Sequence, residues 1–112
     1  ISNTFSDNKL TDGDVLWRAG SGDSREYNIM PGETINTIML QEDIKRGQRV
    51  EDFIVEGLIN NEWRVLAKGT TIGYKRLLRL PDTDAAKLRL TITGTRDIAN
   101  IQKFGAYYAP KL

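Results

Sequence analysis

The acidic residues are the first place to look for chemistry. Glu42 and Asp43 stand side by side, and paired carboxyls are the minimum for acid–base hydrolysis of a glycosidic bond. That reaction needs the two groups to converge across the bond, roughly 5 to 9.5 Å apart. Neighbouring residues on an extended segment point to opposite faces, so this pair does not converge. Gly69-Thr70-Thr71-Ile72-Gly73-Tyr74-Lys75 has the glycines of a phosphate-binding loop. It lacks the closing Gly-Lys-Ser/Thr and no helical pattern comes after it, so it reads as a turn. The chain has no cysteine and no histidine. Thiolate nucleophiles, disulfides, Cys- or His-based zinc sites and the usual serine triad are therefore excluded. No catalytic residue is expected within this chain.

Residues suited to contact are better represented. The loop 42–49 holds Glu42 and Asp43 with Lys45, Arg46 and Arg49. Charge this dense can recognise sugar hydroxyls through charge-assisted and bidentate hydrogen bonds, form a solvated face, or dock onto another domain. Glu42 and Arg49 sit at the ends of the loop and are candidates for a structural pair. Tyr74, followed by Lys75 and Arg76 beside glycines, is a candidate functional surface; the plain alternative is a tyrosine at the start of a strand. Trp17 and Trp63 each offer a flat ring to a pyranose. Both lie in or beside apolar alternation, where a large ring normally supplies core area, and core is the favoured reading for both.

Whole-chain properties bound these readings. A chain of 112 residues fits one domain able to bury roughly two-thirds of its unfolded surface. Its 39% hydrophobic and 28% charged residues are ordinary for a globular protein. A net charge of +1, with acids and bases interspersed, leaves no footprint for nucleic acid. Apolar runs are too short for a membrane span or a signal segment. Absence of cysteine suits a reducing cytosol and a periplasm equally. A start at Ile1 without an initiator Met reads as a piece of a longer, processed protein.

The elements that must position the candidates are strands. In 87–93 (Lys87-Leu88-Arg89-Leu90-Thr91-Ile92-Thr93) polar and apolar residues alternate with period two, as a half-buried strand requires. Residues 53–58 and 63–67 flank Asn60-Asn61-Glu62, and the asparagine pair tolerates positive φ, which predicts a β-hairpin. Pro31-Gly32-Glu33 is a turn joining 27–30 to 35–40. Further strands are expected at 74–80 and 101–108. The best helical candidate, 42–49, is broken by Gly47 and has too few apolar residues to bury a face. Residues 1–24 read as loops held by Leu10, Val15, Leu16 and Trp17. Short strands separated by Gly, Pro and Asn turns imply an all-β fold, a β-sandwich or jelly roll of about eight strands.

Four segments carry a resemblance. Asn8-Lys9-Leu10-Thr11-Asp12-Gly13-Asp14 followed by Trp17 resembles the opening of discoidin-like (coagulation-factor type C, galactose-binding-like) domains. The stretches 40–50 (Leu40-Gln41-Glu42-Asp43-Ile44-Lys45-Arg46-Gly47-Gln48-Arg49-Val50) and 67–77 (Ala67-Lys68-Gly69-Thr70-Thr71-Ile72-Gly73-Tyr74-Lys75-Arg76-Leu77) look like the C-terminal discoidin-like module of family 29 α-L-fucosidases. The closing Ile101-Gln102-Lys103-Phe104-Gly105-Ala106-Tyr107 is similar to its last strand. The resemblance covers nearly the whole chain, 1–112, as a single module. It implies a jelly-roll sandwich attached to a (β/α)₈ barrel that hydrolyses terminal α-L-fucosides by a retaining two-carboxylate mechanism, with the catalytic acids in the barrel.

The expected partner is therefore the catalytic domain of the same chain, with glycans as the alternative in a lectin-like, carbohydrate-binding module. No nucleic acid and no membrane are expected. Export, to the periplasm or medium, is implied by the resemblance alone. No cofactor is expected. The resemblance leaves one metal open, a structural calcium with Asp12 and Asp14 in its turn; the glutamate that would complete the site falls at Gly105, which removes a charged ligand.

Overall fold

Alternation of side chains decides which face of each strand is dry. In residues 87–95, Leu88, Leu90 and Ile92 are fully buried, whereas Lys87, Arg89 and Thr91 between them reach the surface. The structure is a computed structural model and describes residues 9–10, 16–43, 49–73 and 75–108. Among these residues the chain forms eight strands and no helix: β1 (Trp17–Ala19), β2 (Ser24–Asn28), β3 (Ile35–Glu42), β4 (Val50–Ile59), β5 (Glu62–Gly69), β6 (Arg76–Thr83), β7 (Lys87–Thr95) and β8 (Ala99–Tyr107). They pair into two four-stranded sheets, β1-β8-β3-β6 and β2-β7-β4-β5, antiparallel throughout. The result is the β-sandwich of jelly-roll type that the strand spacing predicts.

The inner faces meet in one core that includes Tyr27, Ile38, Leu40, Phe53, Leu88, Leu90, Ile92, Ile101 and Phe104. Tyr27 of one sheet and Phe104 of the other bring ring centroids to 4.6 Å at a tilt of 43°. Such aromatic pairs contribute about 0.5–1.5 kcal/mol beyond their buried area. Only β4 and β5 are joined by a local hairpin, whose Asn60 and Asn61 have φ of 52° and 64°. Asparagine tolerates this left-handed region, which is why the pair predicts the turn.

Two features depart from the sequence expectation. Residues 17–19 form β1 and residue 24 opens β2, where loops are expected. A three-residue strand is too short to show a period, and β1 finds its partner in β8 near the far end of the chain. Leu10 is buried and bridges to Ile29, but Leu16 is 56% exposed and anchors nothing; Val15 lies outside the described residues.

The second departure is a bulge. Val55 pairs with Ala67 and Glu56 with Val65, so Leu66 is the extra residue on β5 and packs against the core. Beyond it the phase of β5 is reversed.

Close approach rather than backbone freedom explains Gly69. It lies opposite Phe53, and a Cβ on Gly69 would fall 2.4 Å from the Phe53 Cζ. Gly69→Ala is expected to destabilise the sandwich by about 1–3 kcal/mol through overpacking. The readout is a lower urea midpoint at unchanged slope, with part of the loss recovered in the Gly69→Ala, Phe53→Leu double variant. An unchanged midpoint in the single variant would mean the ring does not rest on β5.

Candidate functional site

At the open end of β3 the chain turns into the charged loop, and Glu42, the last residue of the strand, organises that end of the sandwich. Glu42 pairs with Ile101, an inward residue of β8, and is completely buried. Its Oε2 accepts the N–H groups of Arg49 at 2.8 Å and Val50 at 3.2 Å. Its own N–H donates to the Gly73 carbonyl, while the Asp43 N–H donates to the Asn100 carbonyl. The carboxylate thus holds the returning end of the loop, and the backbone amides of Glu42 and Asp43 tie the end of β3 to the neighbouring connections. The other oxygen, Oε1, has no hydrogen-bond partner.

This corrects the placement of Glu42 among contact residues: its side chain turns inward onto two backbone amides and is withdrawn from the surface. The expected pairing of Glu42 with Arg49 exists, but through the Arg49 backbone. The guanidinium turns the other way, and its Nη1 lies 2.6 Å from Asp97 Oδ2. Asp97 also accepts the Ile98 N–H at 2.7 Å. That backbone hydrogen bond first, and Arg49 second, hold the Asp97 carboxyl below its ordinary range.

The remaining candidates divide between the inner and outer faces. Arg76 pairs with Leu40 on the inner side, donates from Nη1 to the Thr71 carbonyl at 2.6 Å, and stands 5.9 Å from the Phe53 ring centroid. It closes the edge between the sheets instead of presenting itself for contact. Lys75 is exposed. Trp17 pairs with Ile101 and packs, half-buried, against the core, which is the core reading.

Trp63 goes the other way. It pairs with Leu58 on the outer face, under the guanidinium of Arg89, whose Cζ is 4.2 Å from the ring centroid. Arg89 Nε in turn donates to Glu56 Oε1 at 3.0 Å. Straight alternation along β5 predicts a core tryptophan; the bulge at Leu66 turns it out. Arg46, Tyr74, Asp12 and Asp14 lie outside the described residues.

Glu42, Arg49, Lys75 and Arg76 therefore gather where the β3–β4, β5–β6 and β7–β8 connections meet. At the opposite end lies an open cleft of about 390 Å³ lined by Lys9, Glu33, Thr34, Asp82 and Tyr108, which sequence reasoning did not single out because its residues come from four separate segments. Its carboxylates are engaged: Glu33 with Lys9 at 3.1 Å, and Asp82 with Asn36 and Tyr108. The calcium expectation rests on Asp12 and Asp14, which lie outside the described residues. A side chain at Gly105 would put its Cβ 2.6 Å from the Tyr107 ring, and no group of three or more acidic side chains is placed to hold an ion among those residues.

Fold and site together define an all-β sandwich module whose charged loops are fastened at one end. No family model matches the chain. It is 41% identical over 81 residues to a protein of Oryza sativa subsp. japonica provisionally named alpha-L-fucosidase 1, covering 72% of this chain and 16% of that protein. A crystal structure from Bacteroides ovatus, provisionally assigned as an alpha-L-fucosidase, superposes with a TM-score of 0.94 at 47% identity, over 99% of this chain and 19% of that one. A glycoside hydrolase 29 family member from an unknown rumen bacterium gives a TM-score of 0.83 at 33% identity, over 99% of this chain and 21% of that one. The chain thus corresponds to one segment, about a fifth or less, of α-L-fucosidase relatives.

The fastening is open to two measurements. Glu42→Ala leaves two buried amides without an acceptor and is expected to cost about 2–3 kcal/mol, measured by urea unfolding; Glu42→Gln, which keeps an acceptor oxygen, costs less. Equal stability of Glu42→Ala and the unaltered protein would remove the fastening role. For Asp97 the folded-state pKa lies below the unfolded one, so its stabilisation is complete above the ordinary value of about 3.9 and is lost as pH falls through the lower, folded value. Asp97→Asn should accordingly reduce the melting temperature at neutral pH, with the difference from the unaltered protein vanishing in strong acid.

Proposed function

We propose that this chain is the C-terminal discoidin-like accessory module of a family 29 α-L-fucosidase. In this reading it packs on the catalytic barrel and supports fucoside hydrolysis without supplying a catalytic acid. The observation that carries the proposal is the superposition over 99% of the chain onto only 19% of a provisionally assigned alpha-L-fucosidase. Most of such a protein, and the room for an active site, lies elsewhere. The fastened loop end supports the same reading, since Glu42 and Arg76 are spent on internal order while Lys75 stays at the surface. Export of the parent, to the periplasm or medium, belongs to this proposal and rests on the resemblance.

The test uses the full-length protein. Arg46→Ala and Arg49→Ala are expected to lower turnover of an aryl α-L-fucoside, or to lower the melting temperature by about 2–4 °C per kcal/mol of lost contact. Titration with fucosylated and galactosylated oligosaccharides distinguishes the lectin-like alternative. Saturable binding that Tyr74→Ala weakens, with turnover and melting untouched in both arginine variants, would replace docking by sugar binding.

A further inference from the structure

The two outer faces of the sandwich differ in charge. On the β2-β7-β4-β5 face, cations sit beside anions: Lys87 lies 3.7 Å from Glu26 and Arg89 lies 3.0 Å from Glu56. On the β1-β8-β3-β6 face, the register places Arg18, Lys103 and Arg79 outward, and Lys75 continues the alternation of β6. Acids stand only towards the ends of the face among the described residues: Asp82 at the far end of β6, engaged with Asn36 and Tyr108, and Asp43 just beyond β3, whose N–H donates to the Asn100 carbonyl opposite Arg18. Among the described residues no ion pair reaches Arg18, Lys75 or Arg79.

The centre of the same face is apolar. Leu77, 43% exposed, lies opposite Met39, which is 5% exposed. On the other side of Met39, Gly105 lacks a side chain and the Tyr107 ring occupies the space above it. Leucine, methionine and tyrosine therefore form a smooth apolar strip bordered by cations.

We propose that this face seats an acidic, partly apolar surface of the remainder of the parent protein. The inference rests on the accessory-module reading and names its interface. An apolar centre supplies burial, and a rim of one sign supplies specificity and orientation against a partner of the opposite sign. The opposite face has largely neutralised its own charges and offers no such complement. The occupant belongs to the same polypeptide, because the chain accounts for only 16–21% of the fucosidase relatives described above, and a tethered surface acts at high effective concentration.

The experiment is a double variant, Leu77→Glu with Arg79→Glu, in the full-length protein, compared with Val65→Glu, Lys68→Glu on the opposite face. Loss of docking is expected to split or lower the thermal transition by at least about 5 °C and to speed limited proteolysis between module and catalytic domain about tenfold or more, with far-UV circular dichroism unchanged. The opposite-face pair should change neither. Should the double variant fail to fold, Leu77→Ser and Arg79→Ala carry the same comparison, and added salt should weaken coupling in the unaltered protein.

Uncoupling by the opposite-face pair, with the Leu77 and Arg79 variants silent, would overturn the choice of face while leaving docking in place. Silence of both pairs, together with unaffected Arg46→Ala and Arg49→Ala, would overturn docking itself. Intact coupling with lost binding of an anionic oligosaccharide, such as a heparin fragment, would make the face a ligand surface and overturn the inference.

Discussion

The architecture depends on a strand that is dry on both sides. An antiparallel sheet commonly keeps one face in water, yet every residue of β3 from Ile35 to Leu40 is buried. Ile38 and Leu40 face the inter-sheet core, as expected of the middle of a sandwich. Thr37 and Met39 face outward and are covered by their own sheet, between the Tyr107 side of β8 and the Leu77–Arg79 side of β6. Burial of polar groups there is tolerable because they are paired: Thr37 Oγ1 donates to Asn36 Oδ1, and Asn36 Nδ2 donates to Asp82, as buried polar groups must be. The strand then ends in Glu42, and its inward carboxylate carries the same sealed environment to the mouth of the charged loop.

Legibility in the sequence depends on which interactions are local. Period two in β7 is visible because one face of that strand meets the core and the other meets water, and a single run of residues records both. The Asn60-Asn61 hairpin is visible because its backbone demand falls on the two residues themselves. Pairing of β1 with β8, β2 with β7 or β3 with β6 leaves no such local trace, since each partner is set by the fold as a whole. Trp63 shows how a single non-local detail misleads. Its neighbours alternate correctly, but the unpaired Leu66 reverses the phase, and a bulge is not written in any residue type here.

Glu42 escapes sequence reasoning for a related cause. Five charged residues between 42 and 49 look like a solvated or binding loop, and nothing in composition separates the one acid that is structural. Its role appears only when the amides of Arg49 and Val50 are placed against its carboxylate. Arg76 is similar: it comes after a lysine and before alternating leucines, and only the inter-sheet gap beside Phe53 explains why its guanidinium points inward to Thr71. Among the described residues, Arg49 is partly exposed and Lys75 is exposed, while Glu42 is withdrawn from the surface and Arg76 is turned to an internal carbonyl.

At the loop end of the sandwich, hydrogen bonds between connections hold the geometry. The Glu42 carboxylate holds the two amides at the start of β4 and Arg76 holds the Thr71 carbonyl, while the Glu42 N–H on the Gly73 carbonyl and Arg49 on Asp97 join the ends of three connections to one another. Loop ends held in this way need not be ordered on association, which is where part of the cost of binding otherwise lies. Lys75 stands where this end meets the cation-bearing face of β6 and β8, so the fastened loops and that face form one continuous surface. Inside the sandwich, substitutions act on folding; on that surface they act on coupling to whatever it touches. Separating these two effects is physically possible at Arg18, Lys75 and Arg79, which share none of the fastenings, whereas Arg49 takes part in one through Asp97.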